Sequence, residues 1–339
     1  MIEKIPFIIA EMSGNHNQSL ERALAIVDAA ADAGVDAVKI QTYTADTMTI
    51  DIDTGEFFIS DKDSLWKGET LYHLYEKAHT PWEWHKAIFE RCKERGIMGF
   101  STPFDDTSVD FLEDLGVPCY KIASFENVDL PLIRKVARTG KPIIASTGMT
   151  TVAELSDLVQ TVRENGCTDL TLLKCTSSYP ASPEGTNLRT IPHMRELFGC
   201  TVGLSDHTLG IGAAVASVAL GAAVIEKHFT LSRAEGGVDA AFSLEPAEMA
   251  QLVRECRTAA LALGTVSYER AEQEQKSLQF RRSLYVVEDM KAGDVFTEKN
   301  LRRIRPGMGL SPKYYDIILG KKANCNITRG TAVQWDLIE

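Results

Sequence analysis

Two lysines and two histidines in this chain stand at the ends of short apolar runs, where charge has to find a partner. Lys39 follows Ala37 and Val38, and Lys121 follows Cys119 and Tyr120. A lysine so placed must meet an anion or reach solvent, because an isolated buried charge is costly. A bound phosphate is one such anion. An ion pair with Glu11 or another carboxylate is the other reading, and both stay open at this level. The hydroxyls of Ser124, Ser146 and Ser205 stand at comparable run ends and can add neutral hydrogen bonds to the same anion. His207 and His228 close what read as neighbouring runs, so their imidazoles can share one divalent cation or simply be hydrogen-bonded.

The elements that position these groups follow a regular rhythm. Eight apolar or β-branched runs, at residues 7–10, 37–41, 98–101, 119–122, 142–146, 170–174, 202–205 and 224–229, read as strands. Helical patterns lie between them, among them 20–33, 81–95, 130–138 and 152–164, several preceded by a capping Ser, Thr or Asp. Strands alternating with returning helices predict a TIM barrel in residues 1–264. A doubly wound sheet is the alternative, but no GxGxxG turn follows the first run.

In a barrel the strand C-termini converge on one mouth. Glu11, Asn15, His16, Lys39, Gln41, Thr102, Asp105, Lys121, Ser124, Ser146, Lys174, Thr176, Ser177, Ser178, Ser205, Asp206, His207, Glu226 and His228 all fall at or just after such ends. Singly, each is also an ordinary cap or turn residue. Beyond residue 264 the chain changes character. A charged stretch at 265–279 reads as a linker, and 280–339 reads as a small, turn-rich β domain with too few apolar residues for an independent core, so that docking onto a barrel is expected.

Composition narrows the partners. The formal net charge of -11 disfavours nucleic acid and anionic membranes. No signal-length apolar stretch precedes Glu11, and the uncharged run 209–225 is Gly/Ala-rich and short, which reads as a buried helix and strand rather than a span. The seven cysteines form no CxxC pair, which predicts a reduced, cytoplasmic protein.

Longer motifs then carry a family likeness: Ala-Glu-Met-Ser-Gly-Asn-His-Asn at 10–17, Val-Lys-Ile-Gln at 38–41, Ser-Thr-Pro-Phe-Asp at 101–105, Tyr-Lys-Ile-Ala-Ser at 120–124, Ser-Thr-Gly-Met at 146–149, Cys-Thr-Ser-Ser-Tyr-Pro at 175–180, Gly-Leu-Ser-Asp-His-Thr at 203–208 and Glu-Lys-His-Phe-Thr at 226–230. Together they resemble the sialic acid synthase family. The likeness continues through Arg-Arg-Ser-Leu at 281–284 and Arg-Pro-Gly-Met-Gly at 305–309, which resemble the family's antifreeze-like (SAF) domain. Within the family, the Gly-Gly-Val-Asp and Phe-Ser of segment 235–245 resemble the pseudaminic acid synthase branch more than the N-acetylneuraminate or legionaminate branches.

The resemblance implies a TIM barrel with a SAF domain, a domain-swapped homodimer and a divalent metal, usually manganese with magnesium or cobalt as alternatives, on His207 and His228. It implies condensation of phosphoenolpyruvate with an amino-sugar aldehyde. Lys39, Thr102, Lys121, Ser124, Ser146 and Ser205 would bind phosphoenolpyruvate, while Glu11, Asp239 and Arg305 would bind the sugar. Ser177 stands where family members often carry Asn. Glu11 and Glu226 are candidate proton handlers, with Lys121 beside them. Two rivals of other classes remain: a Schiff-base aldolase using Lys121 or Lys174, and a carbohydrate-binding protein.

Overall fold

The computed structural model describes residues 5–62 and 64–339, which fold as two compact units, one running to Gly264 and the other from Thr265 to Glu339. In the first unit, β1 (Phe7–Glu11), β2 (Ala37–Thr42), β3 (Met98–Pro103), β4 (Tyr120–Ile122), β5 (Ile143–Ser146), β6 (Leu170–Cys175), β7 (Thr201–Asp206) and β8 (Val224–His228) close a parallel barrel in sequence order, with β8 pairing back onto β1. The eight expected strands are all present, their ends moved by one or two residues.

The surrounding helices are α1 (Leu20–Asp32), α2 (Ala45–Met48), α3 (Leu71–Ala78), α4 (His85–Glu94), α5 (Asp106–Leu115), α6 (Leu130–Ala137), α7 (Val152–Glu164), α8 (Thr190–Phe198), α9 (Gly212–Ala219) and α10 (Pro246–Leu263). Their starts follow local chemistry: Ser19 accepts the Arg22 N–H at α1, and Thr151 and Glu154 cap α7 reciprocally. The helix expected over 81–95 is interrupted at its start, because Pro81 leads into a 3-10 turn before α4 begins at His85. The run at 209–225 resolves into α9 and the start of β8, as its small residues suggested. Among the described residues no helix is long and apolar enough to cross a membrane.

Side chains two apart on a strand share a face, and this period builds the barrel interior in steps. Ile9, Ala37, Phe100, Cys119, Ile144, Leu173 and Val224 form an apolar plug. Two residues further along the same strands stand Glu11, Lys39, Thr102, Lys121, Ser146, Cys175 and Glu226. Gly203 completes the plug because a Cβ there would lie 2.2 Å from the Val224 carbonyl oxygen, and Ser205 follows it. A larger apolar core fills the space between the strands and the helices outside them.

The intervening residues point outward. Lys227, between Glu226 and His228, is fully buried behind the barrel, and its ammonium lies 2.7 Å from Asp206 Oδ2 and donates to the Thr208 carbonyl. Asp206, expected at the mouth from sequence, therefore faces the helices instead. Its other oxygen accepts the N–H and hydroxyl of Thr208.

The second unit pairs β9 (Ser283–Val286) with β10 (Leu301–Ile304) antiparallel and contains α11 (Tyr315–Ile318). Leu284, Val286, Met290, Phe296, Leu301, Ile318, Ala323, Ile327 and Val333 make a core of its own. This corrects the expectation of a tail without one: its apolar residues are few in any window, but the turns gather them.

The buried ion pair behind β7 and β8 yields a stability prediction. Lys227→Met leaves Asp206 buried without its counter-ion and is expected to cost about 3–5 kcal/mol, read as a lowered urea midpoint. An unchanged midpoint contradicts this account of the pair.

Candidate active site

At the floor of the barrel mouth two lysines and two glutamates are buried together. The Lys39 ammonium lies 2.7 Å from Glu11 and 3.7 Å from Glu226, and Lys121 lies 3.7 Å from Glu226. Strand register explains the meeting, since Glu11 stands opposite Lys39 across β1–β2 and opposite His228 across β1–β8. Neutral donors and acceptors complete the set. Thr102 Oγ1 accepts from Lys39 at 3.1 Å, Ser146 Oγ accepts from Lys121 at 2.6 Å, Ser205 donates to Glu226 at 3.0 Å and Gln41 donates to Glu11 at 3.0 Å. Burial pushes Lys39 down, but Glu11 and Glu226 outweigh it and hold the ammonium form. Burial likewise raises Glu226, yet Lys121 and Lys39 keep it below the usual carboxylate range.

Above this floor His207 and His228 come together with ring centroids 5.3 Å apart. His207 Nδ1 lies 3.0 Å from the Thr176 carbonyl oxygen, so that nitrogen donates. His228 Nδ1 is buried without a hydrogen-bond partner, 3.8 Å from Asp239 Oδ2. Burial and the neighbouring cationic groups hold His228 neutral. Asp239 is fixed by a hydrogen bond from the Ser13 hydroxyl. Floor, imidazoles and Asp239 line one cavity of about 580 Å³, a size that suits small-molecule substrates.

A profile described as the NeuB family matches residues 26–268, and one described as the SAF domain matches residues 281–339. The chain belongs to the NeuB family. In one Campylobacter jejuni strain, serotype O:2, a pseudaminic acid synthase is 46% identical over 98% of this chain and 96% of its own length. An N,N'-diacetyllegionaminic acid synthase of the same strain is 37% identical over 95% of this chain and 97% of its own. Among solved structures, an N-acetylneuraminic acid (sialic acid) synthetase from Leptospira borgpetersenii in complex with citrate superposes with a TM-score of 0.72, at 32% identity, covering 82% of this chain and 92% of that one.

Of the residues that the sialic acid synthase resemblance singled out, the cavity gathers Glu11, Lys39, Lys121, Ser124, Ser146, Ser177, Ser205, His207, Glu226, His228 and Asp239. Thr102 is not on its wall: fully buried, it stands behind Lys39 and orients that side chain. Lys174 also turns away, donating to the carbonyl of Cys175 at the end of its own strand. Asn15 is spent on the Phe229 carbonyl and Ser243 hydroxyl, and Asp105 caps α5. Arg305 is an exposed residue of the second unit. The ion-pair reading of Lys39 is the one realised, with Glu11 at 2.7 Å.

The mouth suits a divalent cation. Two imidazoles converge, that of His228 held neutral with an unpartnered buried nitrogen, and among the described residues no third His, Cys, Asp or Glu closes a cage around them. A cation held by two imidazoles would keep positions open for other ligands, as in catalytic rather than structural sites.

Glu126 escaped the sequence reading. It lies two residues past Ser124, lines the cavity, and buries Oε2 without a hydrogen-bond partner. Burial pushes its carboxyl up to about 7, against the pull of Lys121. The only signal in sequence was a carboxylate just beyond a strand end, which looks the same as a solvated turn residue.

Glu126 generates the prediction for this site. Its folded value of about 7 exceeds the ordinary 4.5, so the stability tied to its proton is full below pH 4.5 and is lost as pH rises through 7. Glu126→Gln is therefore expected to be more stable than the parent at pH 8 by about 3 kcal/mol, and nearly equal near pH 4.5. Urea melts across that range check it; parallel pH profiles for the two proteins contradict it.

Proposed function

We propose that this chain is a pseudaminic acid synthase, condensing phosphoenolpyruvate with 2,4-diacetamido-2,4,6-trideoxy-L-altrose and water to give pseudaminic acid and phosphate. The observation that carries the sugar assignment is the nine-point margin, 46% against 37%, between two synthases of one strain that are aligned over nearly the whole chain. The segment Gly236-Gly237-Val238-Asp239 at the cavity edge supports the same branch. The seven unpaired cysteines suit a cytoplasmic setting.

The buried quartet supports the phosphoenolpyruvate half of the reaction. Lys39 and Lys121 exchange their internal carboxylate partners for the phosphate and carboxylate of the substrate, with Ser124, Ser146 and Ser205 adding hydroxyl donors. His207 and His228 hold a divalent cation, with manganese the proposed occupant and magnesium or cobalt the alternatives. When bound, the cation supplies Lewis-acid polarisation of the aldehyde oxygen. Asp239 and Glu11 orient the sugar chain beside it.

Bond formation joins C3 of phosphoenolpyruvate to the aldehyde carbon, and the aldehyde oxygen takes up a proton. Water adds to C2 and gives up a proton; the C2 hydroxyl then loses its proton as the C2=O bond of the ketone forms and the C2–O bond to phosphate breaks, and the leaving phosphate takes up a proton. Two protons are taken up and two released, so at each stage the carboxyls at the mouth have only to pass a proton between them. Glu126, near 7, is matched to receive and return it; Glu226, held ionised by two lysines, orients and stabilises charge instead. Arg305 is assigned to the sugar site across a domain-swapped homodimer, a reading that rests on the family resemblance.

A Schiff-base route would need a free amine. Lys121 is the only one of the two offered lysines that faces the cavity, and its ammonium is held by Ser146 and by the Ile122 carbonyl.

The test is phosphate release with the two sugars side by side. Clear preference for the trideoxy altrose over N-acetylmannosamine is expected, with release abolished by EDTA and restored by manganese. Better turnover of N-acetylmannosamine contradicts the sugar assignment. Full turnover in chelator together with trapping by borohydride contradicts the reaction class.

A further inference from the structure

The cavity has two chemically different ends. Its floor is charged, while its outer wall, from one excursion of the chain between β2 and α4, is mainly apolar: Met48, Ile59, Leu71, Leu74 and Tyr75 reach the lining, with Asp61 and Ser64 as its polar members. Phosphate, carboxylate and aldehyde find their partners at the floor and the imidazoles. The apolar wall serves none of them. A hydroxyl facing its aliphatic part, away from Asp61 and Ser64, would lack a partner, which is unfavourable; a methyl group there gains from burial.

Trp66 joins this wall to the reacting end. Its indole N–H donates to the Val238 carbonyl at 2.9 Å, the residue immediately before Asp239. Its ring stands 6.1 Å from that of Tyr179, which in turn lies 4.5 Å from His207. Half-buried, with one edge tied to the loop that carries Asp239, the indole is held at a fixed place between the imidazoles and the aliphatic side chains.

We infer that Trp66, with Ile59 on the same lining, is the specificity determinant for the tail of the sugar, covering the methyl-bearing end of a 6-deoxy diacetamido chain while its aldehyde end lies at His207 and His228. This rests on the functional reading above and deepens it. A sugar with a hydroxyl at C6 and no second acetamido group would place polar atoms against the indole and the wall, and would lose the methyl contacts as well.

The experiment measures kcat/KM for the trideoxy diacetamido sugar and for N-acetylmannosamine in the parent, Trp66→Ala, Trp66→Phe and Ile59→Ser, with the KM for phosphoenolpyruvate recorded in each as the check on an intact floor. Trp66→Ala and Ile59→Ser are expected to shrink the parent's preference by about 10–100-fold, mainly through the KM of the deoxy sugar, with the KM for phosphoenolpyruvate unchanged. Trp66→Phe, which keeps a smaller aromatic face and loses the indole N–H with part of the ring, is expected to retain more of the preference than Trp66→Ala. A parent that prefers the deoxy sugar, combined with variants in which both sugars lose equally, overturns the inference alone: Trp66 is then a staple between two loops. A parent that prefers N-acetylmannosamine overturns the functional reading and this inference with it.

Discussion

Two ammonium groups and two carboxylates buried on an apolar plug are the interaction on which the rest of the barrel interior depends. None of the four would be tolerated there alone, since an unpaired charge in such surroundings is far costlier than a paired one. Each is therefore held by neighbours from other strands: Lys39 by Glu11 and Thr102, Lys121 by Ser146, Glu226 by Ser205, and Glu11 by Gln41. Seven of the eight strands contribute to this arrangement, so the register of nearly the whole barrel is tied to it. Well-packed apolar residues would serve stability at least as well. The quartet makes sense as a cradle whose internal anions a substrate can replace.

From this floor the character of the cavity changes outward in order. The charged layer gives way to two imidazoles, then to Asp239 and the carboxyl of Glu126, which burial pushes up to about 7, and finally to the mainly aliphatic and aromatic wall of the β2–α4 excursion. Phosphoenolpyruvate carries its charge at one end, and a deoxy diacetamido sugar carries its polar aldehyde at one end and methyl groups at the other. On the proposed function, this gradient would orient both without a separate device for each, and a carboxyl near neutrality such as Glu126 could pass a proton in either direction.

Much of this was legible in the sequence, and the reason is the period of two. Once Lys39, Lys121, Glu226 and His228 were seen at the ends of apolar runs, a closed parallel barrel was enough to bring them together. The same rule identifies what could not be read. Asp206 and His207 are adjacent and both polar, but the pleat sends one outward to Lys227 and the other inward. Thr102 was assigned to substrate although its hydroxyl is spent on Lys39, because whether a strand-end hydroxyl faces a ligand or a neighbour depends on depth within the barrel. Glu126 and Trp66 were missed because they lie on loops beyond strand ends, where no periodicity marks which side chains turn inward. The core of the second unit was missed for a related reason: turns, not spacing, assemble it.

The central claim is that the quartet is a balanced cradle in which Glu226 competes with phosphoenolpyruvate for the two lysines. The most direct measurement is the affinity for phosphoenolpyruvate, by calorimetry without sugar, of the parent and of Glu226→Gln and Lys121→Met. Removing one negative charge at this range is worth at least about 1 kcal/mol, so Glu226→Gln should bind phosphoenolpyruvate about fivefold or more tightly, even as phosphate release fails, while Lys121→Met binds it more weakly. Weaker binding by Glu226→Gln would contradict the account.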